Sequence, residues 1–320
     1  MSLFNLETFY VLAGVLLLVI AGRIALDRGH SRRAGSALFW GLLGFAFMFG
    51  KELPPVSTGY ILVAMVALAA FRQVGLPSER TTSPAERAAS AGRLGNRLFW
   101  PVLIIPLTAA AGAPVLAHLH LGGLRLLGTD NVAVAAVSLG ALLALGAALA
   151  LTRESAAAPF AEGSRLIQAV GWALILPQFL AALGGLFARA GVGEAVAGIV
   201  ARSLPTQYPA VAVAAYCLGM ALFTVCMGNA FAAFPVVTLG VGLPLIVRGH
   251  GGNPAIMAAF GMLAGYCGTL VTPMAANFNV VPAVLLELRD RNAVIRAQVP
   301  IALAVFTFNA LLMYACVYRF

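Results

Sequence analysis

Ala255–Leu286 is a run of 32 residues without an acidic or basic side chain. As one straight helix it would measure about 48 Å, against a bilayer hydrocarbon core about 30 Å thick. Such a run must tilt strongly, break or re-enter. Its own residues favour a break: Gly265, Gly268, Pro273 and Pro282 all fall within the stretch GYCGTLVTPMAANFNVVP. Interrupted helices survive at membrane depth only where protein or a water-filled cavity satisfies the freed backbone groups, and such places are commonly transport sites.

The rest of the chain has the matching composition. It is 61% hydrophobic and 10% charged, with a mean hydropathy of +0.95, whereas soluble domains keep about a quarter of their residues charged. The expected fold is an all-α polytopic integral membrane protein. Ten hydrophobic windows mark candidate segments: Phe9–Leu26, Ser36–Gly50, Val56–Phe71, Phe99–Ala117, Val132–Leu151, Leu166–Phe187, Ala210–Met227, Ala230–Val247, Ala255–Leu286 and Val299–Tyr318. The longest polar stretch, 72–97, is too short for a separate soluble domain. The net charge of +9 comes from arginines between apolar segments, so it reads as membrane orientation and not as nucleic-acid binding. The cysteines Cys217, Cys226, Cys267 and Cys316 lie in apolar runs without metal-ligand spacing and read as small buried residues.

Alternation through ten segments puts 14 of the 20 basic residues on one side if the N-terminus is outside. The positive-inside rule then places both termini outside. Met1–Glu7 has no basic residue, while Arg23, Arg28, Arg32 and Arg33 follow the first window. That polarity is opposite to a cleaved leader, so the first window is expected to be retained as a span. Residues 1–152 carry mostly plain Ala, Leu and Val segments and read as scaffold. Residues 153–320 carry a proline or an amide in nearly every segment and read as the working region.

No acidic side chain falls at the centre of a window, which argues against a carboxylate proton relay. Two polar clusters stand out instead. One runs from Thr224 through Gly228 and Asn229 to Pro235; the other joins Gly268, Thr269, Thr272, Pro273, Asn277 and Asn279. Gly228, Pro235, Gly268 and Pro273 are the expected helix breakers. Half-helices starting or ending in a bilayer point N–H groups or carbonyls at their neighbourhood, and Thr and Asn beside them supply neutral hydrogen bonds or cation ligands. Asn229, Thr269, Thr272, Asn277 and Asn279 are therefore the candidate substrate-binding residues, with Gln178 beside Pro177 as an opposing contact. Helix packing is the competing role for the same small and polar residues. His118 and His120 lack further ligands at metal spacing, and the Lys51–Glu52 turn reads as an exposed ion pair. No catalytic dyad or phosphate loop is visible, so an enzyme is not expected.

Four stretches carry a family resemblance: Gly95–Pro101 (GNRLFWP), Gly171–Gln178 (GWALILPQ), Met227–Pro235 (MGNAFAAFP) and Gly265–Pro282. With them the chain resembles the bacterial domain of unknown function 979 family over nearly its whole length. That family is similar to one half of the ion-transporter superfamily, with its paired repeats and interrupted helices. The resemblance implies a cytoplasmic-membrane transporter subunit that works with a membrane protein of the domain of unknown function 969 family. It further implies 5-oxoproline as the small anionic substrate and no cofactor, with sodium as the candidate coupling ion. The alternative is a non-transporting scaffold or regulator of a partner carrier. It shares the hydropathy pattern but has no need of a polar break in an overlong segment.

Overall fold

The computed structural model describes residues 2–77, 82–112, 114–128 and 130–320, with side chains except at 84, 121, 177, 178, 181, 188 and 201. Two compact units make up the chain, Met1–Gln168 and Ala169–Phe320. This boundary lies later than the change in character expected after residue 152, because the helix at Ala158–Val170 falls almost wholly in the first unit.

The first unit holds seven helices: α1 (Leu6–Leu26), α2 (Arg33–Phe49), α3 (Pro55–Ala70), α4 (Pro84–Leu94), α5 (Phe99–Gly112), α6 (Val132–Thr152) and α7 (Ala158–Val170). Asn5 caps α1, its side chain accepting a 2.8 Å hydrogen bond from the Thr8 amide. Close-packed helix pairs follow from small residues that let two backbones approach. A Cβ at Gly44 of α2 would stand 2.9 Å from the Gly14 carbonyl of α1, and one at Gly112 of α5 would stand 2.6 Å from the Ala136 side chain of α6. A small sheet ties one end together. β1 (Ser2–Phe4) runs parallel to β3 (Leu124–Leu127), and β2 (His120–Leu121) is antiparallel to β3. Lys51, between α2 and α3, pairs with Glu7 at 3.7 Å. The N-terminus, the Lys51 turn and the 120–128 ribbon thus share one end of the unit, as alternating spans require. Arg80 and Glu79 lie outside the described residues.

The second unit follows a 3₁₀ turn at Gly171–Ile175 with α8 (Leu176–Arg189), α9 (Val192–Ser203), α10 (Pro209–Met227) and α11 (Ala230–Val237). After α11 a π-helical segment occupies Thr238–Arg248, and α12 (Pro254–Leu270), α13 (Ala276–Leu285) and α14 (Ala293–Val317) complete the unit. α10 and α12 run side by side in the same direction. Gly261, Gly265 and Gly268 of α12 lie in turn against Tyr216, Met220 and Thr224 of α10. α14 runs back along them, with the Asn253 amide donating to the Val317 carbonyl at 2.8 Å and Cys267 hydrogen-bonded to Asn309. The π segment fits between Gly193 of α9, which meets Gly240, and the Tyr216 ring, which meets Gly242. Its Thr238 hydroxyl is 2.9 Å from the Tyr216 hydroxyl. A π turn widens the helix by one residue per hydrogen bond, and such segments gather at functional places.

Six helices are long and apolar enough to cross a membrane, and four shorter apolar ones accompany them. Exposed positions are as apolar as the core: Tyr60, Val63, Trp100, Leu107, Leu222 and Leu311 all project outward. Outward apolar faces on helices that also bury an apolar face are what lipid selects. This is an all-α, multi-pass membrane protein. Two of the ten windows are not single helices: Leu166–Phe187 is divided by the 3₁₀ turn, where Gly171 has φ 62°, and Ala255–Leu286 is divided between α12 and α13. The four cysteines are free; Cys217 and Cys267 are buried, whereas Cys226 is exposed.

Replacing Gly268 with Val drives a side chain against the Ala221 carbonyl, which cannot rotate away. The thermal unfolding midpoint of the purified chain in detergent should fall, by the equivalent of about 1–3 kcal/mol. Gly146→Ala, facing open space in α6, should leave that midpoint unchanged or slightly higher.

Candidate functional site

Two helix interruptions lie against one another in the second unit. α10 ends at Gly228, whose φ of 70° is a left-handed conformation that favours glycine. The Met274 backbone packs where a Cβ would stand, so space as well as φ requires glycine there. Asn229 then turns the chain into α11, its Oδ1 accepting from the Phe231 amide at 2.8 Å. The second interruption is 271–275, between α12 and α13. Cys267 lies opposite Asn309 in the antiparallel α14, so the break four residues later lies alongside the centre of α14. That helix is about 37 Å long, enough to span a bilayer. The break is therefore well inside the unit's long dimension.

Side chains replace the missing helical hydrogen bonds. The Thr272 hydroxyl donates to the Val225 carbonyl at 2.9 Å, joining one interruption to the other, and accepts from the Met274 amide at 3.2 Å. Asn279 is fully buried, and its Nδ2 donates to the Thr269 and Thr272 carbonyls at 2.9 and 2.6 Å. The Thr269 hydroxyl donates to the Tyr266 carbonyl at 2.6 Å. The buried Asn279 Oδ1 and Thr224 Oγ1 find no protein partner.

A cavity of about 230 Å³ opens between these two interruptions. Asn229, Ala230 and Phe231 bring the start of α11 to it, and Ala276, Asn277 and Phe278 bring the start of α13. A helix start carries N–H groups without intrahelical partners and the positive end of the macrodipole. Two such starts on one cavity favour an anion although no charged side chain lines it. The remaining wall is apolar or aromatic, from Leu176, Leu180, Tyr266 and Met274, with Phe231 and Tyr266 edge to face at 6.1 Å between ring centroids.

Of the expected site residues, Asn229, Thr269 and Asn277 line this cavity. Thr272 and Asn279 stand behind it and hold the break. Gln178 lies in the first turn of α8 between the lining residues Leu176 and Leu180, with its side chain outside the described residues. Gly228 and Pro273 lie at the interruptions. Pro235 and Gly268 do not break helices. Pro235 stands inside α11 ahead of the π segment, and Gly268 stands inside α12, where its lack of a side chain admits α10. Leu176, Leu180, Phe231 and Met274 were not legible as lining residues, because an apolar side chain has no contrast in an apolar sequence. Asn309 did offer a signal, as an amide within the last apolar window. Among the described residues no group of three or more His, Cys, Asp or Glu side chains is placed to share a metal; His120 Nδ1 lies 2.9 Å from the His118 carbonyl.

Asn279→Ala removes both hydrogen bonds to the broken backbone and leaves two carbonyls unpaired. It should destabilise the detergent-solubilised chain by about 2–4 kcal/mol, read as a lower thermal midpoint. Asn277→Ala, at an exposed position, should leave that midpoint within the scatter of the wild type.

Comparison with curated proteins gives no match, nor does comparison with solved structures. The family model described as "Protein of unknown function (DUF979)" matches residues 7–318, nearly all of the chain and every element of the site, and the chain belongs to that family.

Proposed function

We propose that this chain is a subunit of a secondary transporter for a small organic anion. The observation that carries the reading is the meeting of two helix starts at one cavity without charged lining, inside a unit that otherwise faces lipid. A scaffold has no use for two interrupted helices whose repair occupies Thr272, Asn279 and Gly228. The cavity is smaller than the ~300–1,000 Å³ pockets that take drug-sized ligands and suits a metabolite of a few carbons.

The family resemblance supplies 5-oxoproline as the substrate. Its carboxylate would take the N–H groups at the starts of α11 and α13. Its lactam would pair with the side chains of Asn229, Asn277 and Thr269, and its ring methylenes would lie on Phe231 and Tyr266. Neutral donors hold an anion loosely enough to release it, as a carrier needs. Sodium is the coupling ion we favour, since no carboxylate lines the cavity to relay a proton. The proposed setting is the bacterial cytoplasmic membrane with both termini outside, beside a second subunit of the domain of unknown function 969 family.

Uptake of radiolabelled 5-oxoproline into cells lacking their own carriers tests this, with the chain alone and with the second subunit, each with and without sodium. Sodium-dependent uptake that needs both chains is expected. Asn277→Ala should reduce it by about tenfold or more at unchanged membrane abundance, the worth of one good hydrogen bond in an apolar site. Wild-type uptake by that variant would remove Asn277 from the site. No uptake by the intact pair would return the chain to a scaffold role or to another substrate.

A further inference from the structure

A second polar pocket lies in the first unit, at the end of α1 opposite the N-terminus. It measures about 560 Å³ and is lined by Arg23, Leu26, Asp27, Gly29, Ser164 and Gln168, with Ile24 at its floor. Gln168 is the unusual member. It is 3% exposed, its Nε2 donates to Ser164 Oγ at 3.0 Å, and its Oε1 is buried without a donor. A buried amide oxygen left unpaired is costly, so this atom calls for a hydrogen donor from outside the chain. Asp27 adds a carboxylate to the same wall, its Oδ1 also accepting from the Gly29 amide at 2.8 Å.

The rest of the pocket has the opposite character. Arg23 lies in the last turn of α1, and Arg28, Arg32 and Arg33 are exposed around the same end. Leu26 projects 83% exposed beside them. At 21 residues α1 is about 31 Å long, just the thickness of the hydrocarbon core, so its last turn stands at headgroup level. The pocket thus sets acceptors against a hydrogen-donating cation, arginines against an anion and a leucine against acyl chain.

We propose that this pocket binds the headgroup of an aminophospholipid. The primary ammonium donates to Gln168 Oε1 and Asp27, the phosphate faces Arg23 and the neighbouring arginines, and the glycerol end leaves over Leu26. Recognition rests on N–H donation. A quaternary ammonium has no N–H, and a glycerol headgroup lacks the positive charge that Asp27 attracts.

Native mass spectrometry of the intact chain, titrated with lipids of identical acyl chains, tests the assignment. Phosphatidylethanolamine is expected to bind one molecule per chain about tenfold more tightly than phosphatidylcholine or phosphatidylglycerol, the worth of one charge-assisted hydrogen bond. Gln168→Leu, which replaces an unpaired amide by an apolar side chain of similar size, should keep the thermal midpoint and lose that preference. Equal affinity for the ethanolamine and choline lipids, or an unchanged preference in Gln168→Leu, would overturn the proposal. Free phosphoethanolamine at millimolar concentration should not displace the lipid. Full displacement would assign the pocket to a soluble zwitterion and overturn the lipid. The wild-type headgroup comparison decides the question even if the variant does not fold.

Discussion

A backbone interrupted inside an apolar medium must find hydrogen-bond partners within the protein, and the second unit is arranged around that requirement. Water is not there to satisfy the carbonyls freed where α12 stops or the N–H groups exposed where α13 and α11 begin. The chain solves this by bringing its two interruptions together. Thr272 reaches from one break to the Val225 carbonyl at the other, and Asn279 turns its Nδ2 onto the Thr269 and Thr272 carbonyls. The close approach of α10 and α12 that permits these bonds depends in turn on Gly261, Gly265 and Gly268. Lipid gives no hydrophobic drive for helix association, so small residues and interhelical hydrogen bonds supply it.

The same arrangement produces the chemistry of the cavity. Once the carbonyl ends are tied up by Thr272 and Asn279, helix starts are what remains to face the open space. An anion there meets oriented N–H dipoles instead of a buried cation. A buried lysine or arginine would need a permanent partner and would cost free energy whenever the site was empty. The aromatic wall of Phe231 and Tyr266 completes a site that is apolar on one side and hydrogen-bonding on the other.

The two units differ in how much of them is legible from residues. The spans of the first unit follow apolar windows closely, because Ala, Leu and Val in unbroken runs leave the backbone only the helix. The break at 271–275 was legible because proline and amides in an overlong uncharged run contradict a single helix. The turn at Gly228 was legible for the same reason. The π segment was not. A wide turn there depends on Gly193 meeting Gly240 and on Tyr216 meeting Gly242, contacts between positions distant in the chain. Nor was the division of Leu166–Phe187 legible, since its hydropathy is that of an ordinary span.

The sequence by itself determined that this chain lives in a bilayer, where most of its helices run and which stretches cannot continue as helix, because hydropathy, proline and glycine act on the backbone locally. Tertiary structure alone decided which member of the polar cluster does what. Asn277 and Asn279 are two residues apart and chemically identical. One faces the cavity and the other is sealed behind it, because successive positions on a helix point about 100° apart and only the packing of α13 says which direction is inward.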